Sequence, residues 1–335
     1  GWQYYINRGT LFNVITYIRL SPRVLRFSFW SSKDFDCVDI YKQPAFQHPM
    51  LKYHKIPEKF FSNEIHTSND KYKIDHQRCP NGMVPILRQI NGTESVHLDT
   101  FEYPGQHFAT IETILDGTIY RGAKAYISVH NLTVQRNQYS KNQIWLENGP
   151  RDQLNIIQVG WAADGSKKTR CYNTQCPGFV LVIPDLVIGE AYGNTSIYGG
   201  KVSAFIQPRI FQDGFTGNWV LKRVDKLIGY WPKELFTHLN KGASLIRFGG
   251  NTFTSPDRVS PPMGNGHFPV ANFQKSSHFS FIKVKNLNYQ TIDMEAKKTR
   301  RYADSYECYR LTYWGYLNFS RVTFSLGGPG GNCGT

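Results

Sequence analysis

The sequence predicts an all-β protein, an antiparallel β-sandwich of two stacked sheets. Short apolar segments, many alternating with polar residues, recur from Cys79 onward and are separated by Gly, Asn and Pro. Aromatic residues make up 15% of the chain, and so much aromatic surface favours a packed core. The strand candidates include GAKAYISVHN (122–131), NQIWLEN (142–148), NIIQVGW (155–161), GFVLVIP (178–184), KVSAFIQPRIF (201–211), NWVLKRV (218–224), SLIRFGG (244–250) and HFSFIKVKN (278–286).

The pattern divides the chain into three regions. Residues 1–33 carry no interpretable pattern. Residues 34–78 are polar and rich in His and Lys, which predicts a small, loosely built segment that ends in a linker. Residues 79–335 hold the strand pattern and are expected to form the sandwich.

One stretch of the sandwich region departs from the strand pattern. In WPKELFTHL (231–239), Pro232 suits a first helical position, and Leu235, Phe236 and Leu239 share a helical face. We therefore expect a short helix that caps the sheets here.

The chain is basic, with Lys and Arg exceeding Asp and Glu by 39 − 25 = 14. The basic residues are scattered, and the densest runs, KKTR (167–170) and KKTRR (297–301), are typical of solvated surface. No nucleic-acid recognition motif accompanies them. The charge leaves open a surface for acidic polysaccharide. No stretch reaches the roughly 20 apolar residues of a membrane span, so we expect no membrane partner.

Six cysteines and four glycosylation sequons favour the secretory route and an oxidising compartment. Short separations favour the pairs Cys171–Cys176 and Cys308–Cys333, which leaves Cys37–Cys79 by elimination. No cysteine pair has the two-residue gap of a zinc knuckle or redox motif. The sequons begin at Asn91, Asn131, Asn194 and Asn318.

Several segments together resemble the neprosin family of secreted plant glutamic peptidases. They are DCVDIYKQPAFQHPMLKYHKI (36–56), CPNGMVPILR (79–88), GAKAYISVHN (122–131), SKNQIWLENG (140–149), QVGW (158–161), CYNTQCPGFV (171–180), TGNWVL (216–221), IGYWPKELF (228–236), FGGNTF (248–253) and MGNGHFP (263–269). The resemblance implies that residues 34–78 are an activation segment with its linker and that the sandwich is the catalytic domain. It also implies cleavage of peptides next to proline at acidic pH, without a cofactor.

The resemblance places two catalytic glutamates where this chain has amides. The family strand that here reads QVGW carries Gln158, and the strand that here reads FGGNTF carries Asn251. Gly160 and Gly249 share a strand face with them, which suits a cleft floor that a substrate backbone approaches closely. The alternative is that Gln158 and Asn251 simply face solvent and that the two glycines lie at β-bulges.

Peptide hydrolysis by two carboxyl groups needs one ionised as base and one neutral as acid. An amide does not titrate, although it can donate a hydrogen bond to an oxyanion. An active variant would need another carboxylate, such as Glu147, Asp185 or Glu190. The resemblance implies a further strand after Trp161 that is missing here. If this deletion is real, it predicts an unpaired sheet edge beside the cleft; if it is a gene-model error, the native protein is longer.

These features predict a secreted neprosin-like pseudoenzyme that retains a cleft for Pro-containing peptide or protein. The resemblance suggests cleft walls at Trp161, Tyr230, Trp231 and the turn 263–269, because aromatic faces bind proline rings. Core packing is the alternative for Trp161 and Trp231. Two other functions stay open: an active acid peptidase that uses another carboxylate, and a non-enzymatic module that binds acidic cell-wall polysaccharide.

Overall fold

The computed structural model is built from two stacked β-sheets. It describes residues 2–6, 12–16, 35–61, 78–88, 104–135, 138–164, 174, 177–189, 195–201, 203–254 and 259–334. The described residues contain only 3₁₀ turns besides strands. This confirms the predicted all-β class and the stacked antiparallel sheets.

The first sheet has seven strands. In spatial order they are β1 (Trp2–Ile6), β2 (Phe12–Thr16), β8 (Asn155–Asp164), β7 (Tyr139–Asn148), β14 (Leu245–Phe253), β5 (Gln106–Thr113) and β17 (Thr299–Ala303). All neighbours are antiparallel except β2 and β8, which run parallel.

The second sheet has ten strands. Its main path is β18 (Arg310–Leu317), β19 (Arg321–Gly327), β15 (Ser277–Lys285), β6 (Gly122–Ser128), β11 (Pro208–Gln212), β12 (Trp219–Arg223), β13 (Lys226–Trp231) and β9 (Val180–Leu181). Off this path, β10 (Phe205–Ile206) pairs with β6, and β16 (Thr291–Asp293) pairs with β15.

The core lies between the two sheets, and strand alternation decides which side chains enter it. Val159 and Trp161 of β8 are buried in the core, and the Trp161 indole Nε1 donates to the Ser128 carbonyl of the second sheet at 2.8 Å. A Cβ on Gly250 of β14 would come within 2.5 Å of Met263 Sδ. The neighbouring positions on β8 and β14 therefore point away from the second sheet.

The predicted capping helix is reduced to a single 3₁₀ turn, Lys233–Leu235. Pro232 precedes this turn as its N-cap, and Phe236 is extended at its end.

 With φ −56° and ψ 136°, Pro232 is not itself helical. The apolar side chains of Leu235 and Phe236 are buried at this turn, so packing replaces the expected helical face.

The described part of the predicted activation segment, residues 35–61, forms a small body on the second sheet. Strand β3 (Phe35–Asp39) pairs with β4 (Met83–Leu87), and the Cys37–Cys79 disulfide joins their two regions. Three 3₁₀ turns follow β3, at Pro44–Gln47, Pro49–Leu51 and Glu58–Phe60. The first strand after Cys79 thus pairs with the segment and lies outside both large sheets.

Two of the three predicted disulfides are confirmed, Cys37–Cys79 and Cys308–Cys333. The third pair, Cys171–Cys176, lies outside the described residues. Of the sequons, Asn131 and Asn318 are exposed, whereas Asn91 and Asn194 lie outside the described residues.

The edge of the first sheet differs from the prediction. Strand β8 was expected to be an unpaired edge after the loss of a strand, but β2 pairs with it from Ile156 to Val159. The expectation of an open edge is therefore wrong over these four residues. Backbone N–H and C=O groups at a strand edge favour pairing, and residues 13–16 supply it here.

Candidate functional site

Gln158 and Asn251 lie on the same face of the first sheet, the face turned away from the second sheet. We call it the polar face. Gln158 is on β8 and Asn251 is on β14, with β7 between them. Both side chains are buried, with exposed fractions of 6% and 4%. The alternative of two solvent-facing amides does not describe their surroundings.

The strand register sets the two amides apart along the sheet. Gln158 lies level with Trp145 and Arg247, whereas Asn251 lies level with Lys141 and Ala162. The offset is four residues along the strands and two strands across. Ideal sheet spacing converts this into a Cα separation of about 16 Å. The two side chains are therefore not directly opposite each other.

Gln143 of β7 lies midway between the two amides. It is level with Gly160 and Gly249, and its side chain is buried. Its Nε2 donates to Gln158 Oε1 at 2.9 Å. Gln158, Gln143 and Asn251 thus form a diagonal of three amides across the polar face. Gln143 was not among the predicted site residues, because the register that centres it is not visible in the strand pattern alone.

The two glycines of the polar face are required by the sheet itself. A Cβ on Gly160 would overlap the Asn142 carbonyl oxygen and come within 2.5 Å of Gln143 Cα. A Cβ on Gly249 would overlap the Ala109 carbonyl oxygen of β5. Close approach of neighbouring strands explains both residues, and their contact with a substrate stays a prediction.

Asn251 is held by backbone carbonyls. Its Nδ2 donates to the His107 carbonyl at 3.2 Å and to the Thr252 carbonyl at 3.4 Å. Lys141, directly opposite on β7, is also buried, and its Nζ lies 3.8 Å from the centroid of the Tyr139 ring. A carboxylate at position 251 would therefore be the direct cross-strand neighbour of a lysine, and a nearby cation favours the ionised form of an acid.

Two buried glutamates occupy the polar face on either side of Arg247. Arg247 Nη1 lies 2.9 Å from Glu112 Oε1, and Arg247 Nε lies 2.9 Å from Glu147 Oε1. Arg300 Nη2 reaches Glu112 Oε2 at 2.7 Å. Glu147, one of the candidate replacement bases, is thus engaged by a guanidinium group.

The other two candidate carboxylates do not join the polar face. Asp185 follows β9 at the edge of the second sheet, where it forms an ion pair with Lys226. Glu190 lies outside the described residues. Among the described residues no group of three or more His, Cys, Asp or Glu side chains could hold a metal ion.

The suggested wall residues are placed away from the polar face. Trp161 and Trp231 are fully buried in the core, in agreement with the core-packing alternative. Tyr230 is also fully buried, and its hydroxyl lies 2.9 Å from His54 Nε2 of the activation segment. In the turn 263–269, Met263 packs in the core against Gly250. Burial excludes direct substrate contact of these three aromatic side chains in this conformation.

A family model described as Neprosin matches residues 136–329. The chain belongs to the neprosin family. The match spans β7, β8 and β14, so all three amides of the polar face lie within the neprosin domain. It begins well after residues 34–78, so the predicted activation segment lies outside the matched range. Among the described residues, no helix is long and apolar enough to cross a membrane.

Proposed function

We propose that this chain is a secreted neprosin-like protein that has lost most or all peptidase activity and retains a peptide-binding cleft on the polar face. The observation that carries the proposal is the pair of amides, Gln158 and Asn251, at the family's two glutamate positions. Both are buried on one sheet face with amide and backbone partners. The expected ligand is a Pro-containing peptide, as the family resemblance implies.

The chemistry of the polar face supports binding over hydrolysis. A general base contributes roughly 10²–10⁴-fold to such a reaction, and an amide cannot accept the proton from water. Gln158, which keeps an exposed fraction of 6%, can still donate a hydrogen bond to a peptide carbonyl. Glu112 and Glu147 are on this face, but both are engaged by Arg247.

Secretion is part of the proposal. Two disulfides fit an oxidising compartment, and the sequon residues Asn131 and Asn318 are exposed, as glycan attachment requires. Glycosylation and a place in the plant apoplast or cell wall follow from the family resemblance.

The test is a cleavage assay at acidic pH with a fluorogenic Pro-containing peptide. The wild type would be compared with the Gln158→Glu/Asn251→Glu double variant. A matched control, Gln158→Asn/Asn251→Gln, changes the same positions and keeps both amides. We expect cleavage by the double glutamate variant alone, together with peptide binding by the wild type.

Cleavage by the wild type would overturn the proposal. It would favour the second candidate function, an acid peptidase that uses another carboxylate. Glu147 is then the candidate base, because it lies on the polar face. Loss of that cleavage in Glu147→Gln would identify the base. If none of the variants cleaved the peptide and the wild type did not bind it, the proposal of a retained cleft would be rejected.

A further inference from the structure

The second sheet gathers basic residues that are scattered in the sequence. Lys283 of β15 is level with Lys124 of β6, Lys124 with Arg209 of β11, and Arg209 with Lys222 of β12. We call these four residues the cation row. Neighbouring strands are about 4.8 Å apart, so the row extends about 14 Å across four adjacent strands.

The row is unfavourable for the fold. Like charges directly opposite each other on neighbouring strands are destabilising, and the row contains three such pairs in succession. Burial, followed by repulsion from Arg209, lowers the pKa of Lys124 and of Lys222. Lys285 is affected in the same way. Folding alone gives no reason to place these charges side by side.

The acidic neighbours neutralise only part of this charge. Asp225 lies 3.3 Å from Arg209 at a highly exposed position, and Asp293 lies 3.2 Å from Lys283. Within the part of the chain that the structure describes, Lys124 and Lys222 have no ion pair. Both side chains are partly exposed, so an anion in solution can reach them.

An aromatic ring lies among these cations. Phe211, two residues from Arg209 on β11, is partly exposed on the same face. Its ring centroid is 5.4 Å from the Arg209 guanidinium, 5.9 Å from Lys222 Nζ and 5.8 Å from Lys285 Nζ. A flat surface with a row of cations and an apolar ring suits a polymer of sugar rings that carry carboxylates.

We propose that the cation row, with Phe211 and Lys285, binds an acidic polysaccharide whose sugar rings carry carboxylate groups. The polymer would lie across the strands, with carboxylates against the row and one ring against Phe211. A row of cations is complementary in charge to a polyanion. The two disulfides fit an oxidising compartment, which favours an extracellular polymer over nucleic acid. The inference does not depend on peptide binding at the polar face.

The test is a titration of the full chain with polygalacturonate, by calorimetry at low and at raised ionic strength. The Lys124→Gln/Lys222→Gln variant removes two charges from the row. The matched control, Lys55→Gln/Lys201→Gln, removes two exposed lysines elsewhere and has the same net charge. We expect about tenfold weaker binding for the row variant, from two lost charge contacts, and wild-type binding for the control.

Stability provides a second readout. Because the row is repulsive, its Lys124→Gln/Lys222→Gln variant should melt at the wild-type temperature or above while it binds more weakly. Equal weakening by both double variants would overturn the proposal, since net charge alone would then explain binding. Equal affinity for fully methyl-esterified polymer would also overturn it, as would tighter binding to nucleic acid or to phosphatidylserine vesicles.

Discussion

Gln143 donates from its Nε2 to the Gln158 side-chain oxygen at 2.9 Å, and both side chains are buried on the polar face. This bond links the centre of the polar face to one of the two family glutamate positions. A carboxylate at position 158 could accept the same hydrogen bond. The surroundings of Gln158 are therefore compatible with the acid that the family resemblance implies at this position.

Substitutions at position 158 should separate the effect on stability of a lost hydrogen-bond acceptor from that of an added charge. Gln158→Leu leaves the buried Gln143 donor without this acceptor, and we expect the free energy of unfolding to fall by about 1–3 kcal/mol. Gln158→Glu keeps the acceptor, but burial should raise the pKa of the new carboxyl group. Its stability should match the wild type at pH 4 and decrease as the pH rises through that pKa. Urea unfolding at pH 4 and pH 7 measures both; equal stability of Gln158→Leu and wild type would contradict the hydrogen bond.

Gly160 should be intolerant of any side chain. Gly160→Ala places a methyl group against the backbone of β7, and we expect a loss of more than about 2 kcal/mol, since the strands must separate. The comparison is Gly117→Ala, where φ is +85° and the space around the new Cβ is open. That variant should lose only about 1–2 kcal/mol from backbone strain. An unchanged melting temperature for Gly160→Ala would show that the glycine instead faces open space.

Acid should destabilise the fold through His130. Burial and the neighbouring His278 lower the pKa of His130 to about 3, and its Nε2 lies 3.0 Å from Ser128 Oγ. The folded state therefore disfavours protonation of His130, whereas the unfolded state binds this proton near pH 6.5. The stabilisation is complete above pH 6.5 and is lost as the pH falls towards 3, by up to about 5 kcal/mol.

The measurement for His130 is urea unfolding at intervals between pH 7 and pH 3. His130→Gln removes the titrating ring and keeps a donor for Ser128, so its stability should fall less steeply over the same range. Parallel pH profiles for the variant and the wild type would assign the acid sensitivity to other groups.

The activation segment should be held by both a covalent and an acid-sensitive attachment. His54 contacts Tyr230, and Lys59 Nζ lies 2.5 Å from Asp213. Burial lowers the pKa of His54, against the opposing effect of Glu234, and burial also lowers that of His48. Docking is therefore strongest above about pH 6.5 and weakens below it, because the undocked segment takes up the protons.

A specific protease site placed between residues 62 and 77 tests this arrangement. After cleavage, the Cys37–Cys79 bridge should keep the segment attached at pH 7.5 and at pH 4.5 in gel filtration. In the Cys37→Ser/Cys79→Ser background, the cleaved segment should stay bound at pH 7.5 and dissociate at pH 4.5. Adding His48→Gln/His54→Gln should reduce the difference between the two pH values. Dissociation at both pH values would show that the bridge alone holds the segment.

The local sequence pattern correctly predicted several features of the structure. The alternation of 154–161 separates Gln158 from Trp161, and the structure places Trp161 in the core and Gln158 on the opposite face. The predicted helix at 231–239 failed because packing of Leu235 and Phe236 favours a single turn followed by extended chain. Tyr230 packs against His54 and Phe60, which are distant from it in sequence, and no local pattern predicts these contacts.

The sequence by itself determined the all-β class, the neprosin resemblance and the presence of amides at both glutamate positions, because strand alternation and residue identity are local properties. Only the tertiary structure decided how the strands are aligned. Strand register arises from pairing between segments far apart in the chain. It offsets Gln158 from Asn251, places Gln143 between them, and aligns four separate basic residues into one row.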